Sequence, residues 1–121
     1  MTDNILITIL MEDTKTNPSF LAEHGLAFWI EFNGKKILFD TGQSDNLIHN
    51  ARTLNIDLKE ADAIIISHGH YDHTGGLPSV LAIADKASIY LHPSALKQKF
   101  SQKPSHVNMI GMSDEAKQAL E

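Results

Sequence analysis

The sequence predicts an α/β fold: one mostly antiparallel, mixed sheet with flanking helices. Three features point there. Short β-branched, apolar runs recur along the chain. Asn33-Gly34 joins two of them as a tight hairpin. Stretches with apolar residues at helical spacing separate the later runs, which is the alternation expected of α/β proteins.

The elements follow in order. Asn4 to Met11 (NILITILM) is apolar nearly throughout and reads as a buried strand. Glu12 to Ser19 is polar, carries the turn signal Asn17-Pro18 and reads as a loop. Leu26 to Phe32 is the second strand, and Lys36 to Asp40 returns antiparallel to it after the Asn33-Gly34 turn. Ser44 can cap a helix with Asp45 in its first turn, and Leu47, Ile48, Ala51 and Leu54 form its apolar stripe. Asp57 to Glu60 is a polar connection to the short strand Ala63–Ile66. Leu77 to Ala84 reads as a helix, with Pro78 tolerated in its first turn. Ser88 to Leu91 is a strand, Ser94 to Phe100 a short helix, and Ser101 to Ser105 a loop. Ser113, Asp114 and Glu115 start a last helix, with no Gly or Asn stop after it and the acidic Glu121 at its negative end. That helix is expected to be cut rather than finished.

Composition sets the outer bounds. The chain has 121 residues, 42% hydrophobic and 21% charged, which suits one folded domain over residues 1–121. Net charge is -5 and no basic block occurs, so neither nucleic acid nor an anionic membrane is an expected partner. With no cysteine, disulfides, thiolate metal sites and a cysteine nucleophile are excluded. The N-terminal residues lack a signal-peptide charge pattern, and the apolar run Ile5–Met11 is too short to span a bilayer. A cytoplasmic location is the expectation.

The chemistry concentrates in Ser67-His68-Gly69-His70-Tyr71-Asp72-His73-Thr74-Gly75-Gly76. Imidazole nitrogen and carboxylate oxygen suit zinc, manganese or iron. With 7 His and 9 Asp in the chain, a chance H-x-H-x-D-H has a probability on the order of 10⁻³. Leaving a strand on a turn, His68 and His70 can meet one ion, while Asp72 and His73 reach a second position nearby. Gly69, Gly75 and Gly76 are expected to lend the loop backbone freedom, and Ile64-Ile65-Ile66 gives it a rigid base.

Ser67 to Leu77 resembles the signature of the metallo-β-lactamase superfamily, and Phe39-Asp40-Thr41-Gly42 is similar to its upstream motif. Glu23-His24-Gly25-Leu26-Ala27 and Leu91-His92-Pro93 resemble the subgroup of dihydropterin-ribofuranosylaminobenzene-phosphate-synthase-like hydrolases. The resemblance runs over essentially the whole chain but covers only the first half of the family's chain. It implies the first half of an αββα sandwich. His68 and His70 would bind one divalent metal ion, and Asp72 and His73 a second, with zinc the first choice and manganese or iron alternatives. Asp72 could also accept a proton from the leaving group, and Asp40 would orient a ligand histidine. Metal-activated water would attack an ester, phosphoester or amide centre of a small-molecule substrate.

The family takes three further ligands from its second half: a third His, a bridging Asp and a last His. His92, His106, Asp85 and Asp114 match none of those contexts. An apolar patch drawn from Leu6, Ile9, Phe28, Ile30 and Leu38, or their neighbours, is therefore expected to need a cover. That cover would be a second-half partner chain, the rest of a longer chain, or a second copy about a two-fold axis. The alternative function is a non-catalytic metal-binding, interaction or regulatory module. For the remaining candidates the bland readings are preferred: a packed or solvated His24, a solvated His49, and Phe28 and Trp29 as strand core.

Overall fold

The computed structural model describes residues 4–103 and 106–121. Its centre is a five-stranded sheet in sequence order: β1 (Ile5–Met11), β2 (Ala27–Phe32), β3 (Lys35–Phe39), β4 (Ala63–Ile65) and β5 (Ser88–Tyr90). β1, β2 and β3 pair antiparallel, and β3, β4 and β5 pair parallel, so the sheet is evenly mixed. Asn33 and Gly34 take φ of 50° and 74°, the left-handed pair that a two-residue hairpin requires. The helices are α1 (Asn46–Thr53), α2 (Tyr71–Thr74), α3 (Leu77–Ile83) and α4 (Asp114–Ala119).

The period of two along each strand divides the sheet into two unlike faces. Trp29, Leu38 and Ile64 stand in register on one face. They are buried with Leu47 and Ala51 of α1, Leu58, and Leu77 and Val80 of α3. The other face carries Ile7, Ile30 and Ile37 in one row, and Ile9, Phe28, Phe39, Ile65 and Tyr90 in the next. Ile7, Ile9 and Tyr90 remain 55%, 52% and 58% exposed. The expected open patch is therefore present, but two of its named members are misplaced. Leu38 is fully buried under the helices. Leu6 is exposed but pairs with Glu31, one position out of phase with Ile7, and so points to the opposite face.

Several local expectations need correction. Leu54 lies at the C-cap of α1 rather than in its stripe and is partly exposed. Asp45 is the N-cap of α1 and makes no side-chain cap. Ser44 Oγ instead accepts from the Asn46 N–H, 3.1 Å away. The expected helix Ser94–Phe100 is a single 3₁₀ turn, Pro93–Leu96, and only Ala95 in it is buried. One apolar contact cannot hold a longer helix. Phe100–Lys103 is β6, paired antiparallel with β7 (His106–Met109), so His106 begins a strand rather than lying in a loop. Of the expected loop Ser101–Ser105, residues 104 and 105 lie outside the described residues. At α4, Ser113 caps as expected, accepting from the Ala116 N–H.

Candidate metal centre

Parallel pairing of β3 with β4 builds the centre. Phe39 and Ile65 are in register, so the residues that follow them leave the sheet side by side at its carboxyl edge. That edge is where α/β sheets place ligands. Asp40, directly after β3, is fully buried and holds φ 60°, a left-handed conformation that Asp tolerates better than most residues. Its N–H donates to Ile65 O at 2.9 Å. Its Oδ1 accepts from Ser67 N–H at 2.8 Å, and its Oδ2 accepts from Ser67 Oγ at 2.6 Å and His73 Nδ1 at 2.7 Å.

These bonds fix two imidazole tautomers. The Asp40 carboxylate is all acceptor, so the His73 proton facing it sits on Nδ1 and the Nε2 lone pair is free. The Ser67 hydroxyl uses its proton to donate a hydrogen bond to Asp40. Its oxygen, 2.8 Å from His68 Nδ1, therefore accepts from that nitrogen, and His68 Nε2 is also left bare. Asp40 thus orients His73 directly and His68 through Ser67. Asp40, His68 and His73 offer atoms that all lie within 4.8 Å of one another. Both Asp40 oxygens are already engaged, so we read Asp40 as the orienting group and the histidines as the donors.

His70 and His73 crowd His68, with ring centroids 4.5 and 4.2 Å away. Burial, then His73 and His70, push the His68 pKa below the ordinary imidazole value. Both effects favour the neutral ring that a metal requires. Asp72 is buried, with Oδ2 3.5 Å from His73 Nε2. The second part of the motif is not loop, as expected, but the single turn α2, with His70 at its N-cap. This turn sets Asp72 and His73 beside each other at the mouth of the site.

The glycines serve a different purpose from the one expected. Gly75 and Gly76 hold ordinary right-handed helical angles. They are needed because backbone passes too close for a side chain. A Cβ on Gly69 would collide with the Ala95 carbonyl, on Gly75 with the Gln43 carbonyl, and on Gly76 with the Thr41 carbonyl.

His24 is solvated, as preferred, with its side chain 68% exposed, but it also reaches the centre: its Nε2 lies 3.0 Å from Asp72 Oδ2. In sequence, the stretch Glu23-His24-Gly25-Leu26-Ala27 stood out only through its family resemblance; in the structure Gly25 marks a close backbone approach to Asp72. His49 is exposed, as expected, but also bonds Ser19 O through Nε2 at 2.8 Å. His92 Nδ1 accepts from Ser94 N–H and caps its own turn. Trp29 is core, while Phe28 is only half-buried and stacks on Phe39 across the open face.

A mixed α/β sheet with an oriented His/Asp cluster at the carboxyl ends of its parallel strands defines an α/β protein with a candidate metal site. The chain belongs to the metallo-β-lactamase superfamily, whose family model matches residues 22–100. It is 43% identical over 109 residues to the 7,8-dihydropterin-6-methyl-4-(beta-D-ribofuranosyl)-aminobenzene-5'-phosphate synthase of Methanocaldococcus jannaschii, covering 84% of this chain and 37% of that protein. An uncharacterized protein of the same organism is 38% identical, covering 95% of this chain and 43% of its own length. Among solved structures, a metal-dependent hydrolase of the beta-lactamase superfamily superposes with a TM-score of 0.67 at 32% identity, covering 93% of this chain and 39% of that one. The chain therefore spans about two fifths of the length of the relatives it matches. No helix among the described residues is long and apolar enough to cross a membrane.

Proposed function

We propose that this chain is the metal-binding part of a metal-dependent hydrolase. His68, His70, Asp72 and His73 hold one or two divalent ions, zinc before manganese or iron. The single observation that carries this reading is the pair of bare Nε2 lone pairs on His68 and His73, both set by one buried carboxylate. Superfamily membership implies a divalent metal, and the donors present fit one: neutral imidazoles and a carboxylate. When bound, such an ion polarises the scissile ester, phosphoester or amide group and lowers the pKa of water. The chain's own residues do the rest. Asp40 and Ser67 keep both Nδ1 protons in place, and the Asp72 carboxylate stands ready to take a proton from the attacking water and pass it to the leaving group.

Four donors cannot close two sites that each need three or four. The remaining donors would come from a second sheet laid on the open Ile7–Ile30–Ile37 face, supplied by further polypeptide or a second copy. A specific observation favours the alternative reading, a metal-binding module without turnover: only one cluster of candidate donors occurs among the described residues. Calorimetric zinc titration, with turnover of a generic phosphodiester, tests both. Zinc binding that His68→Ala and His73→Ala each weaken at least about tenfold supports the metal reading. Bound zinc without turnover points to the module, and no zinc binding refutes the metal centre.

A further inference from the structure

The segment leading into β2 grips the centre at three points. Glu23 Oε1 accepts from the Gln43 and Ser44 N–H groups, each at 3.2 Å, and Oε2 accepts from Ser44 Oγ at 2.7 Å and Asn46 Nδ2 at 3.2 Å. Residue 23 is thereby bound to the turn after β3. At Gly25, with φ 143°, the space of a Cβ is filled by the Asp72 carbonyl oxygen. Leu26 N–H donates to that same oxygen at 3.3 Å. His24 projects from between these anchors, with Nε2 3.0 Å from Asp72 Oδ2 while its side chain stays 68% exposed.

We infer that Glu23-His24-Gly25-Leu26 is a positioning clamp for Asp72. Gly25 and Leu26 seat the backbone of α2, and His24 Nε2–H holds the carboxylate at a set rotation beside His73. An exposed histidine normally gains little from such a bond, because ordering it costs entropy. Here both neighbours are already tied down, so little freedom remains to lose. The inference rests on the metal-centre reading only for its consequence, since the hydrogen bond itself exists without an ion.

The test therefore has a metal-free arm. In long-range ¹H–¹⁵N spectra of the metal-free chain at mildly alkaline pH, His24 should show the Nε2–H tautomer, and Asp72→Ala should return it to a mixture. In zinc titrations, His24→Ala should lower affinity about tenfold and His24→Gln, whose amide can donate in the same place, should restore most of it. His24→Ala should have no further effect in an Asp72→Ala background. A mixed tautomer in the wild type, unchanged affinity in His24→Ala, or an equal loss in both backgrounds would overturn the clamp. If the wild type binds no zinc while His24 keeps its Nε2–H tautomer, the clamp stands and the metal reading falls.

Discussion

Replacing Asp40 with asparagine would rearrange the protons on His68 and His73, two of the proposed metal donors. The carboxylate receives three donors: Ser67 N–H at 2.8 Å on Oδ1, and Ser67 Oγ at 2.6 Å with His73 Nδ1 at 2.7 Å on Oδ2. An amide nitrogen placed at Oδ1 would face a backbone N–H that can only donate, so it must take the Oδ2 position. There it donates, and both partners must turn round. His73 accepts at Nδ1 and moves its proton to Nε2. Ser67 Oγ, now accepting, sends its own proton toward His68 Nδ1, which moves the His68 proton to Nε2 as well. Both lone pairs meant for the ion are lost. Loss of such an orienting carboxylate weakens metal binding about 10–100-fold, and two affected ligands put this variant at the upper end. Folding loses the charge-assisted part of the buried bonds, about 1–3 kcal/mol. The assay is calorimetric zinc titration together with ¹⁵N tautomer spectra of His68 and His73. Zinc affinity within about twofold of wild type, with both rings still protonated on Nδ1, would refute the reasoning.

Three further outcomes are expected. The His68 pKa lies below the imidazole value in the folded chain because of burial and the neighbouring rings, so the unfolded chain takes up that proton first. Its contribution to the stability of the metal-free chain is complete above about pH 6.5 and is lost as pH falls through that value toward the folded pKa. Melting curves across this range should therefore slope downward on acidification, and His68→Gln should flatten part of the slope; an unchanged slope would count against the assignment. Gly75→Ala must push α2 away from the Gln43 carbonyl, costing about 1–3 kcal/mol, which a thermal melt reads directly; an unshifted midpoint would show that the loop has room to spare. Ile7→Lys with Ile9→Lys removes two half-exposed side chains from the open face, each worth up to about 1 kcal/mol in a covered interface. Sedimentation should show weaker association with melting nearly unchanged, whereas association equal to wild type would place the cover elsewhere.

How much of this was legible in sequence depended on the range of the interaction. The hairpin at Asn33-Gly34 was visible because its turn chemistry is local, and the His68–His73 cluster because its members are neighbours in sequence. The orienting role of Asp40 followed from the family resemblance, but the relay through Ser67 did not, since it depends on the parallel register that sets Phe39 beside Ile65. His24 was passed over because its partner lies 48 positions away and only the fold brings them together. The glycines looked like hinges, yet they are close-approach points, a distinction that needs the neighbouring carbonyls in view. The helix expected at Ser94–Phe100 failed because a single buried residue, Ala95, supplies too little packing to extend a turn.

The division of labour within the chain explains why so short a piece can carry so specific a site. The groups that orient His68, His73 and Asp72 lie among the described residues: Asp40 after β3, Ser67 after β4, and the Glu23–Leu26 segment before β2. These groups are linked through backbone already fixed by the covered face of the sheet, where Trp29, Leu38 and Ile64 are held by the helices. The open face contributes nothing to those contacts. Covering it should therefore add ligands and affinity without changing the tautomers of His68 and His73. The orienting network is a property of this five-stranded sheet and the segments at its carboxyl edge, and a metal centre built on it would inherit lone pairs that are already aimed.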